Sequence, residues 1–490
     1  MKRTHAHMTE EEAYGRLIKL ERRRDLYAAT VGGVSVWRLV RKEAMTFLQG
    51  RNADIAMPLR QGTMQRLRAL GEAGIHALSL AFAAPRRALL AVSYGHMVAS
   101  HLGKLEDPFI DALLDTLPGD YFKVGHAPQT NSAPLAVPPD ISATCVALLG
   151  HTLMRRLPEG TNSAIQVTAD ALASIGMESH AAHMLVQSRL TAYLREKTAY
   201  AFLLRRIGAR LALVPYSEEF GLSAAAAEAG VPVLEVVHGF ITTRDPDFLT
   251  ATERQNGGTL LPRDAFIVQG TWWRDYYAKS GFYPPEAFLP IGNRTISRLR
   301  EQRRVARQGG RAAAPLKIVL GMPGIGSQQC LAFVAEALQN MRVPYHLHVR
   351  LHPRHNLDVA AYAPQLEHLP PQCVTPTAAG QDAPGTPELL VEADWHVSSS
   401  SSCHLDALAL GVPTAIIPGP EASIMQPLYD LPGVVHASAP CDLADALAES
   451  APQVPAEISH AFCMDFSAKH AAYVLKDWML RRTESMRAPP

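Results

Sequence analysis

The stretch "RLALVPYSEEFGLSAAAAEAGVPVLEVVHGF", residues 210–240, decides the fold. Two short apolar runs each end in polar residues, and an alanine-rich helical segment joins them. Runs of this length bounded by turn residues are strands buried on both faces, and a helix between two of them is the crossover of a parallel pair. The pattern extends in both directions. Upstream, "ALLAVSY" and "DPFIDALLDTL" read as a first strand and helix, and a long helical region follows at about residues 178–207. Downstream, "DAFIVQG" and "AFLPIGN" are strands on either side of the helix "TWWRDYYAKSG". Buried strands alternating with helices predict a parallel, doubly wound α/β sheet.

The chain is too long for one such sheet. Its 490 residues call for two domains, and a second α/β series begins at "LKIVLGMPGIGSQQ" and continues through "PYHLHVRLHP", "ADWHVSSSSS" and "VPTAIIPG". The predicted organisation is a helical N-terminal region at 1–83, with capping residues Thr9 and Ser35, then a Rossmann-like domain at 84–293. A second Rossmann-like domain spans 316–460, and a C-terminal helix at 461–490 packs back on the rest. Between the domains lies the arginine-rich segment 294–315, read as a solvated helix and linker, with contact to an anionic lipid as its alternative. Two doubly wound domains joined in this way place the carboxyl ends of two sheets across a cleft, where open α/β sheets bind ligands.

Composition narrows the function. Lys+Arg and Asp+Glu number 47 and 46, so no global field recruits nucleic acid or a membrane, and any anion must be bound locally. The six cysteines are scattered without a Cys-x-x-Cys pair, which argues for reduced thiols and a cytoplasmic protein. The apolar stretch "IHALSLAFAAPRRALLAVSY" is broken by Pro85, Arg86 and Arg87, so contact with a membrane is expected to be peripheral, at its inner face.

Three loops at strand ends in the second domain carry the candidate donor chemistry. In "HLHVRLHPRHN", alternation puts His346, His348, Arg350 and His352 on one face, and Pro353 ends the strand with His352 at the sheet edge. An imidazole there can donate to a phosphate oxygen; structural histidines and a metal site are the alternatives, although no cysteine or carboxylate nearby completes a zinc set. In "WHVSSSSSCHLDALALGVP", a strand runs into Ser398, Ser399, Ser400, Ser401 and Ser402, and a helix starts near Cys403. Hydroxyls and free N–H groups in such a loop suit an anion, and Asp406, one turn into the helix, suits ribose hydroxyls or a plain exposed charge. In "VLGMPGIGSQQ", Gly324 and Gly326 permit close backbone approach, and Ser327 starts the next helix. Together the three loops read as a holder for a nucleotide phosphate.

The first domain is left to supply the acceptor site and a base. Glu218 and Glu219 follow one strand of the opening stretch, and His238 follows the other. A carboxylate at a strand end suits deprotonation of an attacking hydroxyl; capping of the alanine-rich helix is the structural alternative. Arg244, Asp245 and Asp247, in "TTRDPDF", are placed as acceptor contacts.

These residues resemble a family. His352 and Pro353, followed by the serine run, look like the His-Pro and serine motifs of bacterial sialyltransferases and polysialyltransferases of the GT-B fold. "VPVLEVVHGF", "DAFIVQGTWW" and "FLPIGNRTISRL" look like segments of capsule and surface-carbohydrate transferases, the capsule-type Kdo transferases included. The resemblance spans roughly residues 87–420. It implies a GT-B enzyme that uses no metal and no cofactor beyond its co-substrate, and that moves a sialic acid or Kdo from CMP to a glycan hydroxyl. It also implies that His352, Ser399 and Ser400 hold the CMP phosphate. Two departures stand out: Phe220 separates the carboxylates of "SEEFG" from Gly221, and Val237 stands where those transferases have glutamine. A UDP-sugar transferase or UDP-sugar 2-epimerase would use similar loops, and a non-catalytic subunit of a glycan-assembly complex would keep the same fold.

Overall fold

The computed structural model describes residues 8–51, 71, 74–76, 80, 86–93, 98–99, 104–116, 119–125, 134–154, 156–215, 219–237, 239–242, 244–248, 263–281, 283–308, 315–339, 341–352, 359–377, 385–449 and 451–485. They divide into two compact units, Met1–Ile267 with Asp275–Leu289, and Val268–Arg274 with Pro290–Pro490. Each is built on a parallel, doubly wound sheet, and a helical N-terminal region precedes the first, as the sequence predicts.

The first sheet has seven strands: β1 (Leu89–Ser93), β2 (Tyr121–Gly125), β3 (Ile141–Ser142), β4 (Leu211–Val214), β5 (Val233–Val236), β6 (Ala265–Val268) and β7 (Phe288–Pro290). Their spatial order is β7-β6-β5-β4-β1-β2-β3, and every pairing from β6 to β3 is parallel. Every residue of β1, β4, β5 and β6 is buried, so these strands appear in the sequence as mainly apolar runs, broken by Ser93 at the end of β1 and by Glu235 in β5, whose carboxylate pairs with Arg263 at 2.9 Å. The apolar pattern does not announce β2, because Lys123 sits in its middle. Lys123 is 1% exposed, and its ammonium pairs with Asp111 at 2.5 Å and donates to the Val137 carbonyl at 2.8 Å.

The N-terminal region is held from two sides. Helix α1 (Glu10–Arg24) opens on a capping box in which Thr9 and Glu12 satisfy each other's backbone N–H groups. Helix α2 (Arg41–Leu48) follows a two-residue hairpin, Thr30–Val31 with Val34–Ser35, that the helical periodicity does not foretell. Leu17, Trp37 and Met45 pack with Leu185, Leu190 and Tyr193 of α3 (Ser179–Ile207), the long helix read from the sequence. Inside this core the Glu21 carboxylate takes bonds from Trp37 Nε1 and Arg41 Nε, both at 2.7 Å. Arg38 and Arg41 then donate to the carbonyls of Pro246, Asp247 and Phe248.

The second sheet has six strands: β8 (Leu316–Gly321), β9 (Tyr345–Arg350), β10 (Val374–Thr377), β11 (Trp395–Ser398), β12 (Thr414–Ile416) and β13 (Val434–His436). Their order is β10-β9-β8-β11-β12-β13, all parallel. The chain starts in the middle, winds outward through β9 and β10, and returns to β11 on the other side of β8. The order therefore reverses between β8 and β11, the point where ligands bind to such sheets.

The arginine-rich segment differs from its reading as a solvated linker. Helix α6 (Arg294–Gln308) lies within the second unit, and three of its six arginines, Arg300, Arg303 and Arg307, are occupied by main-chain carbonyls. Arg300 donates to the carbonyls of Ala409, Ser459 and Cys463. Arg303 reaches those of Leu390, Val391 and Ala393 at 3.1, 3.0 and 2.7 Å, and Arg307 shares Ala393. These carbonyls lie at or just beyond the C-terminal ends of α8 (Thr386–Leu390), α9 (Cys403–Ala409) and α10 (Ala456–Phe462), where free C=O groups and the negative end of the helix dipole attract a cation. The arginines act as shared helix caps, a role a sequence count of positive charge does not reveal. Arg303→Ala is expected to lower stability by about 2–3 kcal/mol, and Arg303→Lys to recover little of it, because a point charge cannot fork across three carbonyls. Calorimetric melting of the two variants checks this.

Among the described residues no helix is long and apolar enough to cross a membrane.

Candidate functional site

At the reversal point of the second sheet the glycine and serine loops meet. β8 ends at Gly321 and passes through Met322, Pro323, Gly324, Ile325 and Gly326 into α7 (Ser327–Gln339). β11 ends at Ser398 and passes through the remaining serines into α9. Ser398 is buried, and its hydroxyl donates to the Gly321 carbonyl at 2.6 Å, tying the two strand ends together. A third loop joins them, one for which the sequence offers only a strand end, "VPTAIIPG". Gly419, beyond β12, approaches so closely that a Cβ there would lie 2.6 Å from Ser399 Cβ. Gly326 has φ +73°, and a Cβ on it would lie 2.6 Å from Pro420 Cδ. Glycine is needed at both positions, at Gly326 for its left-handed backbone as well as for space.

The five serines are not equivalent. The Ser398 hydroxyl is taken by Gly321, and Ser399 is fully buried with its side chain against Gly419 and its hydroxyl near the Cys330 thiol. Burial pushes that thiol up to about 12. Ser401 Oγ accepts from the Cys403 N–H at 3.2 Å. The hydroxyls of Ser400, half-buried, and Ser402, exposed, make no hydrogen bond to any described residue. The Ser327 hydroxyl donates to the Pro323 carbonyl at 2.7 Å, closing the turn that carries Gly324 and Gly326.

Beside these loops, β9 ends at Arg350 and not at His352, which lies half-buried two residues beyond. The strand stops there because β10, its partner, ends at Thr377, the residue paired with Arg350. Pro353 lies outside the described residues. Arg350 stands next to Gly321 in register and electrostatically near Cys403 and Glu388. Asp406, on α9, is pushed up to about 7, first by burial and then by Glu388. Under the loops, His396 and His404 share the Thr414 hydroxyl at 2.9 and 2.6 Å, and burial holds both imidazoles far below their usual range. They are neutral packing elements that the serine motif does not reveal.

In the first unit, Glu219 is buried at the N-terminus of α4 (Phe220–Glu228), beyond the end of β4. Glu218 and His238 lie outside the described residues. What the sequence misses is Glu196 of α3. A Cβ on Gly221 would lie 2.4 Å from Glu196 Cβ, so this glycine lets α4 settle on the long helix and bring Glu219 toward Glu196. Burial and then the Glu219 charge push Glu196 up to about 8, and Tyr200 is raised by burial and both carboxylates. A like-charged pair out of water holds one proton between them at neutral pH. The 241–248 loop is engaged with the N-terminal region: Arg244 pairs with Glu11 at 3.2 Å, Asp247 with Lys42 at 3.2 Å, and Asp245 accepts from the Asp247 N–H at 2.8 Å. Arg244 and Asp247, two of the three residues placed at an acceptor, thereby anchor the loop to the N-terminal region, while the Asp245 bond stays within the loop.

No protein-family model and no curated protein matches the sequence. Several solved structures are similar. A UDP-N-acetylglucosamine 2-epimerase of Listeria monocytogenes, described as putative in its own name, has 12% identity and a TM-score of 0.47, over 82% of this chain and 98% of that one. The wall teichoic acid polymerase TagF has 13% identity and a TM-score of 0.44, over 88% and 100%. MurG of Acinetobacter baumannii has 10% identity and a TM-score of 0.40, over 82% and 99%. At these TM-scores the likenesses say nothing of what this chain binds or does.

Proposed function

We propose that the protein is a glycosyltransferase whose second unit binds a nucleotide sugar, and that its donor is a CMP-linked acidic sugar of the sialic acid or Kdo type. The observation that carries the nucleotide reading is the meeting of a glycine loop and a serine loop at the reversal point of a parallel sheet, locked by the bond from Ser398 to Gly321. Backbone N–H groups at the start of α7, the Ser400 and Ser402 hydroxyls, Arg350 and His352 would hold the phosphate, with Ser398, Ser399, Ser401 and Ser327 shaping the loops. Asp406 would meet the ribose. The CMP and acidic-sugar part rests on the His-Pro and serine motifs.

In the reaction, the bond from the anomeric carbon to the phosphate oxygen breaks and CMP leaves, its new charge met by fixed donors instead of a metal. The acceptor hydroxyl of a surface glycan forms the new glycosidic bond, and its proton passes to a base. Glu219 is assigned that role, with Glu196 as the carboxyl beside it that carries a proton at neutral pH; Glu218 and His238 remain candidates on their sequence positions. A cytoplasmic location, read from cysteines scattered without a Cys-x-x-Cys pair, is part of this proposal.

Calorimetric titration with CMP, UDP and GDP, without metal, tests it. CMP is expected to bind best, and Ser400→Ala to weaken it by about tenfold, one charge-assisted hydrogen bond. Preference for UDP would replace the acidic-sugar donor with a UDP-sugar, in a transferase or a 2-epimerase. Absence of nucleotide binding would sink the catalytic reading and leave a glycan-assembly subunit.

A further inference from the structure

The second sheet has a polar face that the donor site does not use. Register sets Lys317 beside His346 and Val319 beside His348, while Ile318, Leu320, Leu347 and Val349 point the other way into the core against α7. One sequence reading of His346 and His348 is a structural, packed role. They are instead half-buried and line a cavity of about 580 Å³ between α6, α8 and strands β8 and β9. The cavity is separate from the loops described above, since its walls come from the strand interiors and from α6 and α8.

The wall carries unmatched donors. His346 Nε2 lies 3.0 Å from the Thr375 hydroxyl, and His348 Nε2 lies 2.7 Å from that of Thr377. Each threonine can donate to Nε2, which leaves the ring proton on Nδ1 with no bond to a described residue. Opposite them, Arg298 of α6 is half-buried and has no carboxylate partner among the described residues. Of the other charges, Lys317 pairs with Glu392, while the Glu388 carboxylate makes no hydrogen bond or ion pair to a described residue and lies near Gly385 and electrostatically near Arg350. Leu299, Leu389 and Val391 complete an apolar floor. No group of three or more metal-ligating side chains occurs among the described residues, so the histidine pair does not read as a metal centre.

We propose that this cavity is a second ligand site, for a small organic anion whose carboxylate or phosphate meets Arg298 and the two imidazoles while its apolar body rests on Leu299, Leu389 and Val391. An unpaired guanidinium facing two imidazole donors is a recogniser of oxyanions, and the leucines favour an organic body over a bare ion. Binding should tighten with acid. Burial, then His346 and Arg350, hold the His348 imidazole below its usual range; a bound anion opposes all three and favours the protonated ring. The other charged groups that line the cavity are Arg298, Lys317, Glu388 and Glu392.

Benzoate and phenyl phosphate serve as probes, followed by histidine-ring NMR and by calorimetry at about pH 8 and about pH 6. At least one is expected to shift the His346 and His348 resonances, to bind more tightly at the lower pH, and to lose about tenfold or more in affinity in Arg298→Gln. Which probe binds better identifies the head group. Failure of both probes to move these resonances would overturn the proposal. So would affinity retained in Arg298→Gln but lost in Ser400→Ala, which places the anion at the serine loop.

Discussion

Lys123→Ala is expected to cost about 3–5 kcal/mol of stability, the largest effect of any single replacement outside the site. The reason is the asymmetry between a buried pair and half of one. Lys123 and Asp111 are each 1% exposed, and the pair is completed by the Val137 carbonyl and by the Asp107 N–H, which donates to Asp111 Oδ2 at 2.9 Å. Asp107 in turn accepts from the Ser93 hydroxyl at 2.5 Å, so the network ties β1 to β2 and to the helix Asp111–Leu114. Burial already pushes the Asp111 carboxyl up against the lowering pull of the ammonium. Without Lys123 its pKa must rise further, so the variant's deficit is greatest at neutral pH and shrinks as acid protonates the carboxyl. Replacing both partners, Lys123→Met with Asp111→Leu, leaves no stranded charge and should recover most of the loss. Denaturant titrations of the wild type and the two variants at two pH values decide the matter. Equal destabilisation by the single and double replacements would show that the pair's charges do not matter to the fold.

This network also shows where the sequence stops being legible. The buried strands β4 and β6 declare themselves because nothing polar interrupts them, β5 because Glu235 is a single break in an apolar run, and α3 because its periodicity runs without a break. β2 does not, because a lysine in a five-residue run reads as a solvated charge until Asp111 is known to lie beside it. The arginines of α6 fail for the same reason: their partners are carbonyls, which carry no signature in a side-chain pattern. At the site, His352 and the serine run were readable as lying at strand ends. Which serine presents its hydroxyl was not, since that depends on Gly321 and Gly419 approaching from other strands. Glu196 was hidden in a 29-residue helix, and the contact at Gly221 brings it toward Glu219.

His352→Ala is expected to lower kcat by about 10²- to 10³-fold while leaving the melting temperature unchanged. The two halves of that expectation have separate grounds. His352 lies half-buried beyond the last paired residue of β9, so its removal breaks no ladder bond and opens no core cavity. Its position beside the glycine and serine loops follows from register, because Arg350 is paired with Gly321, and Gly321 is bonded to Ser398. A donor fixed there strengthens as charge develops on the departing phosphate, so its loss should appear in kcat more than in KM. His352→Asn separates two roles. An amide can still donate a hydrogen bond, so substantial rescue assigns the histidine to fixed-dipole stabilisation. Absence of rescue, with the acid limb of the wild-type pH profile also gone, assigns it to delivery of a proton. Turnover within about twofold of wild type in His352→Ala would remove this residue from the chemistry and leave Arg350 and the loop donors to hold the phosphate.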